Sequence, residues 1–104
     1  MKACIKTDQG KVEMLDMPMP EPGPGEIVVK TSMATVCGSD MHFVDEFPTP
    51  VLEFAFPGSV KPEGLPMGHE AVGHVHAVGA GVTKFKEGDR ILSSCLVGCG
   101  TCHE

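Results

Sequence analysis

Polar and apolar positions alternate in short runs near the start of the chain, the two-residue period of strands rather than the 3.6-residue period of helices. Residues 2–6 and 11–16 predict two strands, and Asp8-Gln9-Gly10 between them has the turn residues of a hairpin. Residues 17–25 hold four prolines in nine positions and predict an irregular, extended connection, because proline donates nothing to a sheet ladder. Residues 26–36 read as the strongest strand, with Ile27, Val28 and Val29 followed by Thr31, Thr35 and Val36, and this strand delivers Cys37 at its end.

Residues 43–66 contain five prolines and four phenylalanines without a clear period, which predicts a long loop with one helical turn over residues 51–55. Alternation returns at residues 71–78, where Val75 and Ala77 share one face and Val72, His74, His76 and Val78 the other. Gly79-Ala80-Gly81 turns the chain, residues 85–89 form another turn, and residues 90–93 predict a last short strand. Residues 95–104 are a tail rich in Cys and Gly. The pattern as a whole is mainly β: short antiparallel strands joined by turns and long loops.

Composition narrows the function classes. Fourteen acidic against eight basic residues give a net charge of −6, and no Lys or Arg cluster is available to replace counterions on a phosphate backbone, so nucleic acid is not an expected partner. No apolar run approaches the roughly 18 residues needed to cross a bilayer, and residues 1–8 lack the apolar stretch of a secretion signal. A soluble, cytoplasmic protein is expected.

Five cysteines, an odd number with uneven spacing, fit thiolate metal ligation better than a secreted disulfide framework. Cys99-Gly-Thr-Cys102 has the spacing of a zinc knuckle, with a redox pair as the competing reading, although the βαβ context of such a pair is missing. Cys4 and Cys95 read as small apolar packing residues, and His74 and His76 as polar positions on a solvated face.

Three ordered motifs then stand together. Gly68-His69-Glu70 is followed by Gly73, Gly79 and Val82; Cys37-Gly-Ser39-Asp40 lies upstream; and Val82, Phe85, Gly88, Asp89 and Arg90 lie downstream. Along nearly the whole chain this arrangement resembles the zinc-containing alcohol dehydrogenases of the medium-chain dehydrogenase/reductase superfamily. The resemblance implies a GroES-like, partly open β-barrel, with residues 1–104 forming the N-terminal part of a catalytic domain and a Rossmann cofactor domain lying beyond it; no GxGxxG is present in the chain.

The resemblance further implies a catalytic zinc held by Cys37 and His69, with Glu70 as an exchangeable ligand or near neighbour. It gives Asp40 the free ring N–H of His69, Ser39 and His42 the passage of the alcohol proton to water, and Cys99 and Cys102 half of a second, structural zinc site. The complete enzyme would oxidise a small alcohol or polyol with NAD or NADP, as a homo-oligomer, while this stretch alone would be inactive. Two alternatives remain: a free-standing GroES-like binding or assembly module without redox activity, and a zinc-less quinone reductase relative, against which Cys37 with Gly68-His69-Glu70 argues. The 26 residues between His42 and His69 form a longer connection than the resemblance implies, and they would lie near the substrate mouth.

Overall fold

A computed structural model describes residues 1–55 and 57–95. Its elements in chain order are β1 (Lys2–Asp8), β2 (Lys11–Asp16), β3 (Ile27–Ala34), α1 (Gly38–Asp45), α2 (Thr49–Ala55), β4 (Leu65–Pro66), β5 (Ala71–Val78) and β6 (Arg90–Leu92). They form two three-stranded antiparallel sheets, ordered β2-β1-β4 and β3-β5-β6, and neither closes on itself. The mainly β architecture expected from the alternation, and the partly open form that the resemblance implies, are therefore present.

The hairpin forms where the turn residues stand, and it also positions α1. The Gly10 N–H donates to the Val44 carbonyl at 2.7 Å and the Gln9 side-chain amide donates to the Asp45 carbonyl at 2.8 Å, so the turn occupies carbonyls that the end of α1 leaves unpaired. On its other edge β1 pairs with β4, and the Met67 N–H donates to the Cys4 carbonyl at 2.9 Å, which fixes the chain just ahead of His69.

The second sheet is registered by β3 and β5, with Ala34 opposite Ala71 and Ile27 opposite Val78. Their close approach depends on Gly73: a Cβ there would lie 2.3 Å from the Lys30 carbonyl oxygen, and that backbone atom cannot swing aside. The proline-rich connection is tied to the far end of the same sheet, where the Gly25 N–H donates to the Ala80 carbonyl and the Gly79 N–H to the Glu26 carbonyl, each at 2.8 Å.

Among the described residues the fully packed core is small. Ile5 of β1, Leu52 of α2 and Val75 of β5 are buried, each contributing roughly 1.5–3 kcal/mol. Lys6 is also buried along its stem, with its ammonium donating to the Asp8 carbonyl at 2.8 Å. His74 and His76 are exposed, as their strand face suggested.

The stretch read as a long loop is where sequence and structure part. Residues 43–45 belong to α1, α2 is a helix of seven residues rather than a turn over residues 51–55, and β4 had no signal. Helix α1 shows little amphipathic period, so hydrophobic spacing does not reveal it. It is set instead by its N-terminus, where the Asp40 carboxylate accepts from the Cys37 backbone N–H at 2.8 Å, half of a capping box. The strand ahead of it ends at Ala34 rather than Val36, which leaves Thr35 and Val36 as the link into the site.

Candidate metal centre

Cys37 and His69 are 32 residues apart in sequence, yet the β3–β5 register brings them to one end of the sheet. Cys37 follows Ala34 by three positions and His69 precedes Ala71 by two, and these two alanines face each other. The link beyond the ladder is held by the Thr35 N–H donating to the Glu70 carbonyl at 3.1 Å and by the Thr35 hydroxyl donating to the Glu70 carboxylate. Gly68, at φ +98°, supplies the left-handed backbone that turns His69 into the site.

The Cys37 sulfur, one ring nitrogen of His69 and one carboxylate oxygen of Glu70 all lie within 4.8 Å of one another, and each residue is half-buried. Behind the imidazole stands Asp40, only 7% exposed. One of its oxygens takes the Cys37 N–H and the other lies 3.3 Å from His69 Nδ1, which leaves His69 Nε2 facing the Ser39 hydroxyl at 3.3 Å. A single buried carboxylate thus orients both the backbone of one donor residue and the ring of the other.

The electrostatics shift both groups toward their charged forms. Hydrogen bonds from the Ser39 hydroxyl and backbone, and then from His69, hold the Cys37 thiol below its ordinary value against the opposing charge of Glu70. The hydrogen bond to Cys37, followed by the charges of Asp40, Cys37 and Glu70, raises His69 against the cost of its partial burial. The imidazolium contribution to stability is full below the ordinary histidine pKa and is lost as pH rises through the raised value. The thiolate contribution is full above the ordinary thiol pKa and is lost as pH falls through the lowered one.

Residue-resolved alkylation with iodoacetamide in metal-free protein should therefore give Cys37 a midpoint below that of a free thiol. Ser39→Ala and His69→Ala should each shift that midpoint upward. A Cys37 profile identical to that of an unfolded peptide would refute this account.

The other site candidates are placed as follows. Ser39 and Asp40 stand on the first turn of α1 beside His69. His42 is exposed and its Nδ1 lies 2.7 Å from the Glu46 carboxylate, so its partner is Glu46 rather than Ser39 or His69. Cys99 and Cys102 lie outside the described residues. Cys4 is exposed on β1, and Cys95, read as a packing residue, lines a cleft together with His69 and Ser39. Thr35 and Glu46 were not singled out in the sequence, because a threonine at a strand end and a glutamate four residues after a histidine have no distinctive spacing.

A β-domain of two open sheets with a Cys, His and Glu cluster at one sheet end is the class that fold and site define together. The sequence model of the alcohol dehydrogenase GroES-like domain matches residues 23–104, and the chain belongs to that family. Among curated proteins it is 38% identical over 104 residues to a putative alcohol dehydrogenase D of Mycobacterium tuberculosis, covering 97% of this chain and 25% of that protein. It is 35% identical over 106 residues to an L-threonine 3-dehydrogenase of Stenotrophomonas maltophilia, covering 99% of this chain and 28% of that protein. Among solved structures, zinc dependent alcohol dehydrogenase 2 from Streptococcus pneumonia superimposes with a TM-score of 0.77 at 32% identity, over 99% of this chain and 27% of that one. The chain spans about a quarter of the length of the curated relatives it matches. Among the described residues no helix is long and apolar enough to cross a membrane.

Proposed function

We propose that residues 1–104 are the N-terminal part of the catalytic domain of a zinc-dependent alcohol or polyol dehydrogenase that uses NAD or NADP. The convergence of the Cys37, His69 and Glu70 ligand atoms within 4.8 Å carries this reading. The donor set fits zinc: thiolate, imidazole and carboxylate are its usual protein ligands, and catalytic sites use about three of them. When bound there, zinc supplies a Lewis acid that polarises an alcohol oxygen and favours its ionisation.

The remaining work falls to the chain's own residues. Asp40 holds His69 Nδ1 and so fixes the tautomer that offers Nε2 as the donor atom. The Ser39 hydroxyl, 3.3 Å from Nε2, stands where it can hand an alcohol proton onward, with His42 on the outer side of α1 as the next candidate carrier. Thr35 restrains Glu70, which keeps that carboxylate within reach of the site without closing on it. Cys99 and Cys102 are proposed ligands of a second, structural zinc. Hydride acceptance belongs to a nicotinamide domain outside this stretch, and the complete protein acts as a homo-oligomer in the cytoplasm.

The test is NADH or NADPH formation by the complete protein across primary alcohols, secondary alcohols and polyols, with and without a chelator. Turnover that disappears on chelation and returns with zinc is expected, and residues 1–104 alone should give none. Chelator-resistant turnover, or none on any alcohol, would overturn the reading.

A further inference from the structure

Glu70 stands between two attachments. One of its carboxylate oxygens lies within 4.8 Å of the Cys37 sulfur and of a His69 ring nitrogen, yet the carboxylate also accepts a hydrogen bond from the Thr35 hydroxyl. The same two residues are tied through their backbones, the Thr35 N–H donating to the Glu70 carbonyl at 3.1 Å. They extend the β3–β5 register one step beyond Ala34 and Ala71, so this double tie is anchored on the ladder itself. Thr35 and Glu70 line one cleft together with Ala34 and Ala71, whereas Ser39 and His69 line the neighbouring one.

Among the described residues no lysine or arginine forms an ion pair with Glu70. A half-buried carboxylate without such a partner is drawn to any cation held by Cys37 and His69, and the hydroxyl is what competes for it. To close fully on a metal, the carboxylate has to give up that hydrogen bond. Threonine suits the task, because its branched Cβ restricts χ1 and little rotamer freedom is lost in holding the hydroxyl in place.

We propose that Thr35 is a positioning residue that latches Glu70 as a reserve ligand and so keeps one coordination position at the metal centre open to a ligand from outside the protein. The inference rests on the metal-centred reading above and concerns how that site regulates its own ligand number. A catalytic zinc site keeps such an open position beside about three protein ligands. Without the hydroxyl, Glu70 closes on the metal, which is then held more tightly and is less accessible to anything else.

The test loads the complete protein with Co(II) and reads two affinities from its visible spectrum. Cobalt affinity is measured by competition with a chelator, and azide affinity by the change that azide causes in the cobalt bands. Thr35→Val removes the hydroxyl at a side chain that is exposed, so little packing is lost. This variant should bind cobalt about tenfold more tightly and azide about tenfold more weakly; a factor of ten corresponds to about 1.4 kcal/mol, the scale of a hydrogen bond to a charged group. Thr35→Ser keeps the hydroxyl and should match the unsubstituted protein in both affinities. Glu70→Gln added to Thr35→Val should restore azide binding, and Thr35→Ala replaces Thr35→Val if the latter fails to fold.

Opposite movement of the two affinities is the signature of the latch, since a loosened sheet end would lower both. If both fall in Thr35→Val, or neither moves while the thiolate-to-cobalt band is present, the latch is overturned and the metal-centred reading stands. If the unsubstituted protein gives no thiolate-to-cobalt band, the metal-centred reading fails and the latch falls with it.

Discussion

Serine in place of Cys37 should abolish the thiolate-to-metal charge-transfer band of the cobalt-substituted chain and weaken metal binding by about a hundredfold or more. Loss of one ligand from a set of three is at least as severe as loss of an outer hydrogen-bond partner, which typically costs 10–100-fold. Asp40→Ala supplies that outer case: the carboxylate lies 3.3 Å from His69 Nδ1 and contributes no ligand atom, so a drop of roughly ten- to a hundredfold is expected with the band retained. A Cys99→Ser/Cys102→Ser double variant should keep the band as well. The decisive comparison is between Cys37 and the tail pair. A band that follows Cys99 and Cys102 would remove Cys37 from the proposed catalytic centre.

The second large effect is expected at Gly73, far from any ligand atom. Alanine there would place a Cβ 2.3 Å from the Lys30 carbonyl oxygen, in the middle of the β3–β5 ladder. Overpacking of this kind costs typically 1–3 kcal/mol and more where backbone must move, a large fraction of the 5–15 kcal/mol that stabilises a whole domain. Because β3 and β5 set the separation of Cys37 and His69, metal affinity should fall along with stability. Urea unfolding and a cobalt titration measure the two losses. Gly38→Ala is the matched control: its Cβ would meet nothing within 4 Å and its φ is not positive, so stability should hold or rise by about 0.5–1 kcal/mol. Equal behaviour of the two variants would refute the packing account.

These variants also separate what the residues announce from what the fold arranges. Strands β1, β2, β3, β5 and β6 were legible because each alternates or is rich in β-favouring residues and is bounded by turn residues. Cys37, Ser39, Asp40, His69 and Glu70 became candidates through the family resemblance, which rests on three ordered motifs that together are far more specific than any one of them. Helix α1 was not, since its eight residues, GSDMHFVD, show little helical period and its start depends on a carboxylate reaching back to the Cys37 N–H. Strand β4 was not either, because a two-residue strand carries no period and exists through its pairing with Ile5 and Lys6.

The sequence by itself determined which thiol, imidazole and carboxylate side chains are on offer and the order of strands β1, β2, β3, β5 and β6, because these are local properties of residue type and short-range spacing. Only the tertiary structure decided that donors 32 residues apart meet, through the Ala34–Ala71 register that no local signal encodes. It likewise decided that His42 turns to Glu46, that Thr35 restrains Glu70, and that Phe43, Leu65 and Met67 face one cleft beside His69. Each of these depends on which strands pair and where helix α1 rests against the hairpin, and such long-range contacts are set by the packing of the whole domain.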